Sequence, residues 1–155
     1  MNLSKNFTLS ELTKSQTAVR KGINNEPSTA DINNLIHLAE TILQPVREHF
    51  GKPVMISSGY RSPALCEAIG SSTKSQHARG EAADFEIHSV DNKKLATWIK
   101  KNCEFDQLIL EYYDGIDPNS GWIHCSVKTA PEIPRKQVLQ AKKIEGRTAY
   151  EPILL

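Results

Sequence analysis

The chain is short of cysteine, has no excess of charge of either sign and contains no long apolar run, and each of these shortages removes a class of function. Its three cysteines, Cys66, Cys103 and Cys125, are odd in number and widely spaced, with no C-x-x-C pair. That excludes a disulfide framework and a zinc knuckle, and leaves them as small buried residues. Basic residues number 19 and acidic ones 18, a formal charge of +1. Such a balance offers no footprint for nucleic acid and no polybasic anchor for a membrane surface. No segment reaches membrane-spanning length, and Met1-Asn2-Leu3-Ser4-Lys5-Asn6-Phe7 lacks the apolar run of a signal peptide. The expectation is a protein made and folded in the cytoplasm, which something else must let out if its target lies outside. With 155 residues the chain is the size of one domain, 1–155, long enough to bury a core without staples.

What the chain does have is a concentration of polar chemistry in Ser75-Gln76-His77-Ala78-Arg79-Gly80-Glu81-Ala82-Ala83-Asp84. A neutral imidazole and a carboxylate are both good ligands for a borderline cation such as zinc, and a loop histidine followed by a strand aspartate lets one backbone turn bring them to one point. A catalytic zinc takes three protein ligands and leaves a fourth position open. His124, in Gly121-Trp122-Ile123-His124-Cys125-Ser126-Val127, is the best third candidate. Without it, His77 and Asp84 read as surface polar residues flanking a turn.

Along the chain, Thr8 and Glu11 are spaced as a helix capping box, and Ser28 with Asp31 opens a second helix after a Gly-, Asn- and Pro-bearing loop. In that helix Ile32, Leu35, Ile36, Ala39, Ile42, Leu43, Val46 and Phe50 form one apolar stripe, which assigns it to the core. Pro45 should bend or restart its last turn, and Gly51 ends it. His37 and His49 belong to its solvated side. Val54 to Ser58 reads as a strand, followed by a turn that presents Arg61 before a short helix over 63–69. An arginine at a strand end is placed to meet a carboxylate or a developing oxyanion, or simply to cap the turn. Residues 82–87 read as a strand, Asp91 or Asn92 caps a helix carrying Leu95, Ala96, Trp98 and Ile99, and Trp98 reads as core.

Residues 105–113 form the next strand, and a turn-rich segment over 114–121 makes a hairpin with the strand around His124. Alternation places Ala83, Phe85 and Ile87 on one face and Ala82, Asp84 and Glu86 on the other. In the hairpin Leu108, Leu110 and Tyr112 share a face with Ile123, Cys125 and Val127 as partners. Gln107, Ile109, Glu111 and Tyr113 face the other way, as do Trp122, His124 and Ser126. If the aliphatic faces pack on helices, Asp84, Glu111 and His124 lie together on the opposite face of one antiparallel sheet, as a metal site with a general base needs.

Four blocks now carry a resemblance: Ser57-Ser58-Gly59-Tyr60-Arg61-Ser62-Pro63; Ser75-x-His77-x-x-Gly80-x-Ala82-x-Asp84; Phe105-Asp106-Gln107-Leu108-Ile109-x-Glu111; and Trp122-Ile123-His124-x-Ser126. Together, over about residues 7–140, they resemble the zinc D-Ala-D-Ala carboxypeptidase superfamily, which includes the zinc murein peptidases of bacteria and phages and shares its fold with the hedgehog signalling domain. The chain is most like the small, single-domain members common in phages and prophages. The resemblance implies an α+β fold with helices on one face of an antiparallel sheet, zinc ligands His77, Asp84 and His124, an acidic general base, Arg61 steadying substrate or oxyanion, and Ser75 contacting substrate. Many relatives carry the acid three residues before the last histidine, where this chain has Gly121. The subgroup with the Phe-Asp-Gln-Leu-Ile-x-Glu block is similar in supplying it from the preceding strand, which implies Glu111, with Asp114 and Asp117 as rivals. Arg135 resembles a frequent arginine of that subgroup and carries no assigned role, and the tail beyond residue 140 yields no reading.

The implied activity is that of a monomeric zinc peptidase acting on peptidoglycan stem peptides in the bacterial cell wall, of the D-Ala-D-Ala carboxypeptidase type. An endopeptidase cutting L-Ala-D-Glu bonds or cross-links, as endolysins do, is an alternative. So is a catalytically silent, metal-retaining wall-binding or virion module, which the missing acid at 121 would suit. A signalling domain of hedgehog type would be expected to carry a signal peptide.

Overall fold

Reciprocal caps written into the sequence fix where the helices begin. The computed structural model describes residues 1–155. After a small two-stranded sheet, β1 (Asn2–Ser4) and β2 (Phe7–Thr8), Thr8 caps α1 (Leu9–Thr13). Its Oγ1 accepts from Glu11 N at 3.2 Å while Glu11 Oε1 accepts from Thr8 N at 3.1 Å. A short α2 (Gln16–Lys21), which the sequence reading does not assign, is capped by Ser15. Ser28 and Asp31 repeat the reciprocal cap at the start of α3 (Thr29–Leu38). The run then passes through a π-helical turn, Ala39–Leu43, into α4 (Gln44–Phe50), where Pro45 stands in the first turn. Proline has no N–H to give to the ladder, and the wider turn before it absorbs the break without ending the helix. Leu35, Leu38, Ala39, Ile42, Leu43 and Val46 on this run are fully buried.

Six strands form the main sheet: β3 (Met55–Ser58), β4 (Ala82–Glu86), β5 (Gln107–Glu111), β6 (Trp122–Ser126), β7 (Gln137–Ile144) and β8 (Arg147–Pro152), in spatial order β3-β4-β6-β5-β7-β8. Between them lie α5 (Pro63–Ala68) and α6 (Asn92–Asn102), the latter capped by Asp91. The fold is thus α+β with a mostly antiparallel sheet. The expected antiparallel pairing holds from β3 to β5 and gives way at β7, which runs parallel to β5. Asp106 anchors this return of the chain: fully buried, it accepts from Arg135 N at 2.8 Å and from the Arg135 guanidinium at 2.8–3.2 Å. That contact gives Arg135 its role.

Strand alternation turns Ala83, Phe85, Leu108, Leu110, Ile123 and Cys125 into one core with Leu12, the α3–α4 stripe and Leu95, Ala96 and Ile99 of α6, so helices cover one face of the sheet. All three cysteines are free and buried, and Cys125 points into this core, away from the opposite face. Trp98 packs against the core edge, stacked on the exposed His49 at 4.6 Å. The strand phase fails at one place. Tyr112 takes a left-handed conformation, φ 56°, which ends the alternation, so its ring crosses to the open face beside Trp122, 5.3 Å away, and Tyr113 packs on the core instead. No helix is long and apolar enough to cross a membrane.

Candidate active site and metal centre

The open face of the sheet collects the polar residues. β4 and β6 pair so that Asp84 stands directly opposite His124, which puts both side chains on one face. His77 arrives from a 3-10 turn, Gln76–Arg79, whose start is capped by Ser75: its Oγ accepts from His77 N at 3.2 Å. The His77 ring is fixed from behind, with Nδ1 2.7 Å from the Gly59 carbonyl oxygen. Gly59 has to be bare for this, because a Cβ there would strike the Leu12 carbonyl of α1. A carbonyl partner makes Nδ1 the N–H donor and leaves Nε2 with its lone pair toward Asp84, the arrangement that orients metal-ligating histidines.

His77 Nε2 lies 3.4 Å from Asp84 Oδ1, and His124 Nδ1 lies 2.9 Å from the same oxygen. One ligand atom from each residue falls within 4.8 Å of the others. Tetrahedral ligands about 2 Å from a zinc ion stand about 3.3 Å apart, so small movements would close these three donors around one ion. Two imidazoles and a carboxylate suit zinc and leave a fourth position open. Burial pushes the Asp84 carboxyl up, but the hydrogen bond with His124 and the nearby His77 outweigh it and hold the group well below the usual carboxylate range. Asp84 is therefore ionised, as a ligand must be.

Glu111 shares this face but not the direct pairing. Ile109 stands opposite His124 and Glu111 opposite Trp122, so Glu111 is one diagonal step from the histidine, a separation of about 7–8 Å between backbones that long side chains span. Burial, then the charge of Asp84, push its carboxyl above the ordinary value, against smaller opposing effects of His124, Trp122 and Arg61. The Trp122 indole N–H is buried with no hydrogen-bond partner, so it acts on Glu111 from beyond bonding range. A half-buried carboxylate raised toward neutrality is what a general base requires.

The rivals are occupied elsewhere. Asp114 Oδ1 accepts from Ile116 N, Asp117 N and Ser120 Oγ at 2.8–3.0 Å, and Asp117 Oδ1 accepts from Asn119 N at 2.9 Å. Both aspartates hold the exposed turn and neither lines the cleft over the triad. Position 121 is closed to an acid. Gly121 has φ +66°, and a Cβ there would collide with the backbone carbonyl oxygen of residue 111, so this backbone has no room for a side chain at 121.

A cleft of about 610 Å³ runs over the triad, bordered by Ser75, Arg61 and Glu111. Arg61 Nη1 donates to Ser58 Oγ at 3.2 Å and its Nε is buried without a partner, and the guanidinium forms no salt bridge. The far side is built by Gln137 and Leu139 of β7 and Tyr150 of β8, which the sequence reading misses. The available signal was the two-residue turn Glu145-Gly146, both residues at positive φ between the paired Ile144 and Arg147. Asn-Gly or Asp-Gly announces such a hairpin strongly; Glu-Gly does so weakly. Partial burial and the charges of Glu111, Tyr112 and Asp84 push the Tyr150 phenol up, so it stays protonated.

A family model described as Peptidase M15 matches residues 5–126, a span that contains His77, Asp84, Glu111 and His124. None of the curated proteins compared with the chain matches it. The His-Asp-His cluster is consistent with the zinc D-Ala-D-Ala carboxypeptidase superfamily.

Proposed function

The chain belongs to the Peptidase M15 family of zinc-dependent peptidases, and from that premise we propose that it hydrolyses peptide bonds in peptidoglycan stem peptides as a D-Ala-D-Ala carboxypeptidase. The roles assigned are zinc binding to His77, Asp84 and His124, proton transfer to Glu111, oxyanion contact to Arg61 and substrate contact to Ser75 and Arg61. One observation carries the reading: three donor atoms within 4.8 Å of one another lie in a cleft that also holds a carboxylate of raised pKa. The hedgehog/DD-peptidase arrangement, a monomeric single domain and action on the wall after release belong to the same proposal.

Zinc, when bound, supplies Lewis acidity, polarising the scissile carbonyl and lowering the pKa of a water toward about 7. Glu111 takes a proton from the attacking water onto its carboxylate and returns it to the leaving amine as the C–N bond breaks. Its raised pKa suits both halves of that exchange. Arg61 donates to the carbonyl oxygen as negative charge builds there, with a guanidinium that no protein carboxylate occupies. Ser75 Oγ accepts from His77 N, which leaves its own proton free for the substrate.

A second reading, an endopeptidase acting on the L-Ala-D-Glu bond or a cross-link, is favoured by one feature. Arg61 and Ser58 also line a neighbouring cavity of about 830 Å³ with Lys14, Arg20 and Tyr60, so the cleft continues past the arginine instead of closing on it. Mass spectrometry of digested peptidoglycan separates the readings. Loss of a terminal D-Ala from pentapeptide stems is the expected result; glycans ending in free L-Ala indicate the endopeptidase, and unchanged muropeptides with metal bound refute both.

A further inference from the structure

The family match stops at residue 126, yet one wall of the cleft is built from residues beyond it. Glu111 pairs with Ala141 and Ala141 with Tyr150, so the three form one row across β5, β7 and β8. Two strand spacings, about 9–10 Å, separate the outer members of the row. The residue between them is a buried alanine, 1% exposed, while Glu111 and Tyr150 on either side of it both line the cleft. In the next row His124 pairs with Ile109 and Ile109 with Leu139.

The hairpin is held as a fixed wall. Tyr112 Oη lies 2.6 Å from Thr148 Oγ1, and Gln140 Nε2 donates to Glu151 Oε1 at 2.8 Å. Tyr113 in turn donates to Asp91. Of the tyrosines around Glu111, only Tyr150, 57% exposed, keeps a hydroxyl that is not taken up by the protein.

We propose that β7 and β8 form the binding subsite for the residue on the leaving-group side of the scissile bond, with Tyr150 donating its O–H to a carbonyl or carboxylate oxygen of that residue and Leu139 forming the apolar floor. The inference rests on Glu111 being the group that protonates the leaving amine. That amine must lie beside Glu111, and the residue bearing it extends away from Asp84 on β4 and His124 on β6. In the strand order, β7 and β8 are what lies that way. The subsite suits an amino acid with an apolar side chain and an oxygen acceptor, because Leu139 lines the floor and the rim is a phenol.

The test is Tyr150→Phe, which keeps the ring and removes the donor, with a D-Ala-D-Ala-ended peptide as probe. Zinc content and melting temperature should be unchanged, and KM should rise about tenfold at nearly constant kcat, the pattern of lost ground-state binding. Calorimetry on Glu111→Gln, which should bind the peptide without cutting it, should show the same tenfold weakening when Tyr150→Phe is added. Binding and KM within twofold of the parent protein, or no peptide binding at all, would overturn the subsite. Near-normal turnover by Glu111→Gln would instead overturn the assignment of the base, so the two failures are distinguishable.

Discussion

Replacing Gly121 by alanine probes the point where the hairpin sets the position of Glu111. Gly121 has φ +66°, a region in which a side chain costs about 1–2 kcal/mol. The added methyl would also meet the Glu111 carbonyl oxygen and stand 2.8–2.9 Å from the carbonyl carbons of Tyr112 and Glu111. These obstacles are backbone, which cannot swing aside as a flexible side chain does, and overpacking of this kind costs about 1–3 kcal/mol. The sum, about 2–5 kcal/mol, corresponds to a fall in Tm of about 5–20 °C for a chain of this size. Relief must come from moving the end of β5, so turnover measured well below Tm should fall as well, with zinc retained. Thermal unfolding followed by circular dichroism and a peptidase assay on the same sample read both effects. A Tm within about 2 °C of the parent with normal turnover would refute the reasoning. By the same argument Gly121→Glu should not rescue Glu111→Gln, although it restores an acid where many relatives carry one.

His124→Ala should abolish the binding of about one equivalent of zinc while the fold persists, since His124 lies on the open face and outside the core cluster; metal analysis and circular dichroism check it, and unchanged metal content would mean the third ligand is wrong. Arg135→Met should destabilise the protein by about 2–3 kcal/mol at neutral pH, below the full cost of breaking a buried pair because the guanidinium is 52% exposed. Burial raises the Asp106 carboxyl, but hydrogen bonds from Arg135 outweigh it and hold it below its ordinary value. A depressed folded pKa contributes stability above the unfolded value of about 4 and loses it as pH falls through the folded one, so the difference between variant and parent should shrink below about pH 4 in denaturant titrations. A gap that persists unchanged at lower pH would show that the ion pair is not its source.

Much of the active face was legible because it rests on period-two alternation and on residues whose chemistry is rare in strands. Asp84, Glu111 and His124 could be put on one face from the phase of three strands, and the Thr8 and Ser28 caps from their spacing. Resemblance to a zinc peptidase family supplied the roles that alternation cannot. The readings that failed have local causes. A single left-handed residue, Tyr112, inverts the faces after Glu111, and no propensity announces that conformation in tyrosine. The tail hid a hairpin because Gln137–Ile144 does not alternate cleanly: apolar Val138 and Leu139 are adjacent, and it sits beside β5 through a parallel pairing that only tertiary structure fixes. Arg135 could not be interpreted without seeing that Asp106, just before the apolar run of β5, is fully buried and needs a cation.

The central claim is that Glu111 moves the proton for a metal held by His77, Asp84 and His124, and the Glu111→Gln variant tests it most directly. Glutamine keeps the shape and removes the basicity, so zinc measured on the purified variant should stay at about one equivalent. Turnover of a peptide from the parent protein's own muropeptide digest should fall at least about a hundredfold, the usual worth of a positioned base. Asp114→Asn and Asp117→Asn, measured alongside, should each stay within a few-fold of the parent, since their side chains are tied into the turn. Near-normal turnover in the glutamine variant together with a collapse in either asparagine variant would contradict the account and place the base in the turn.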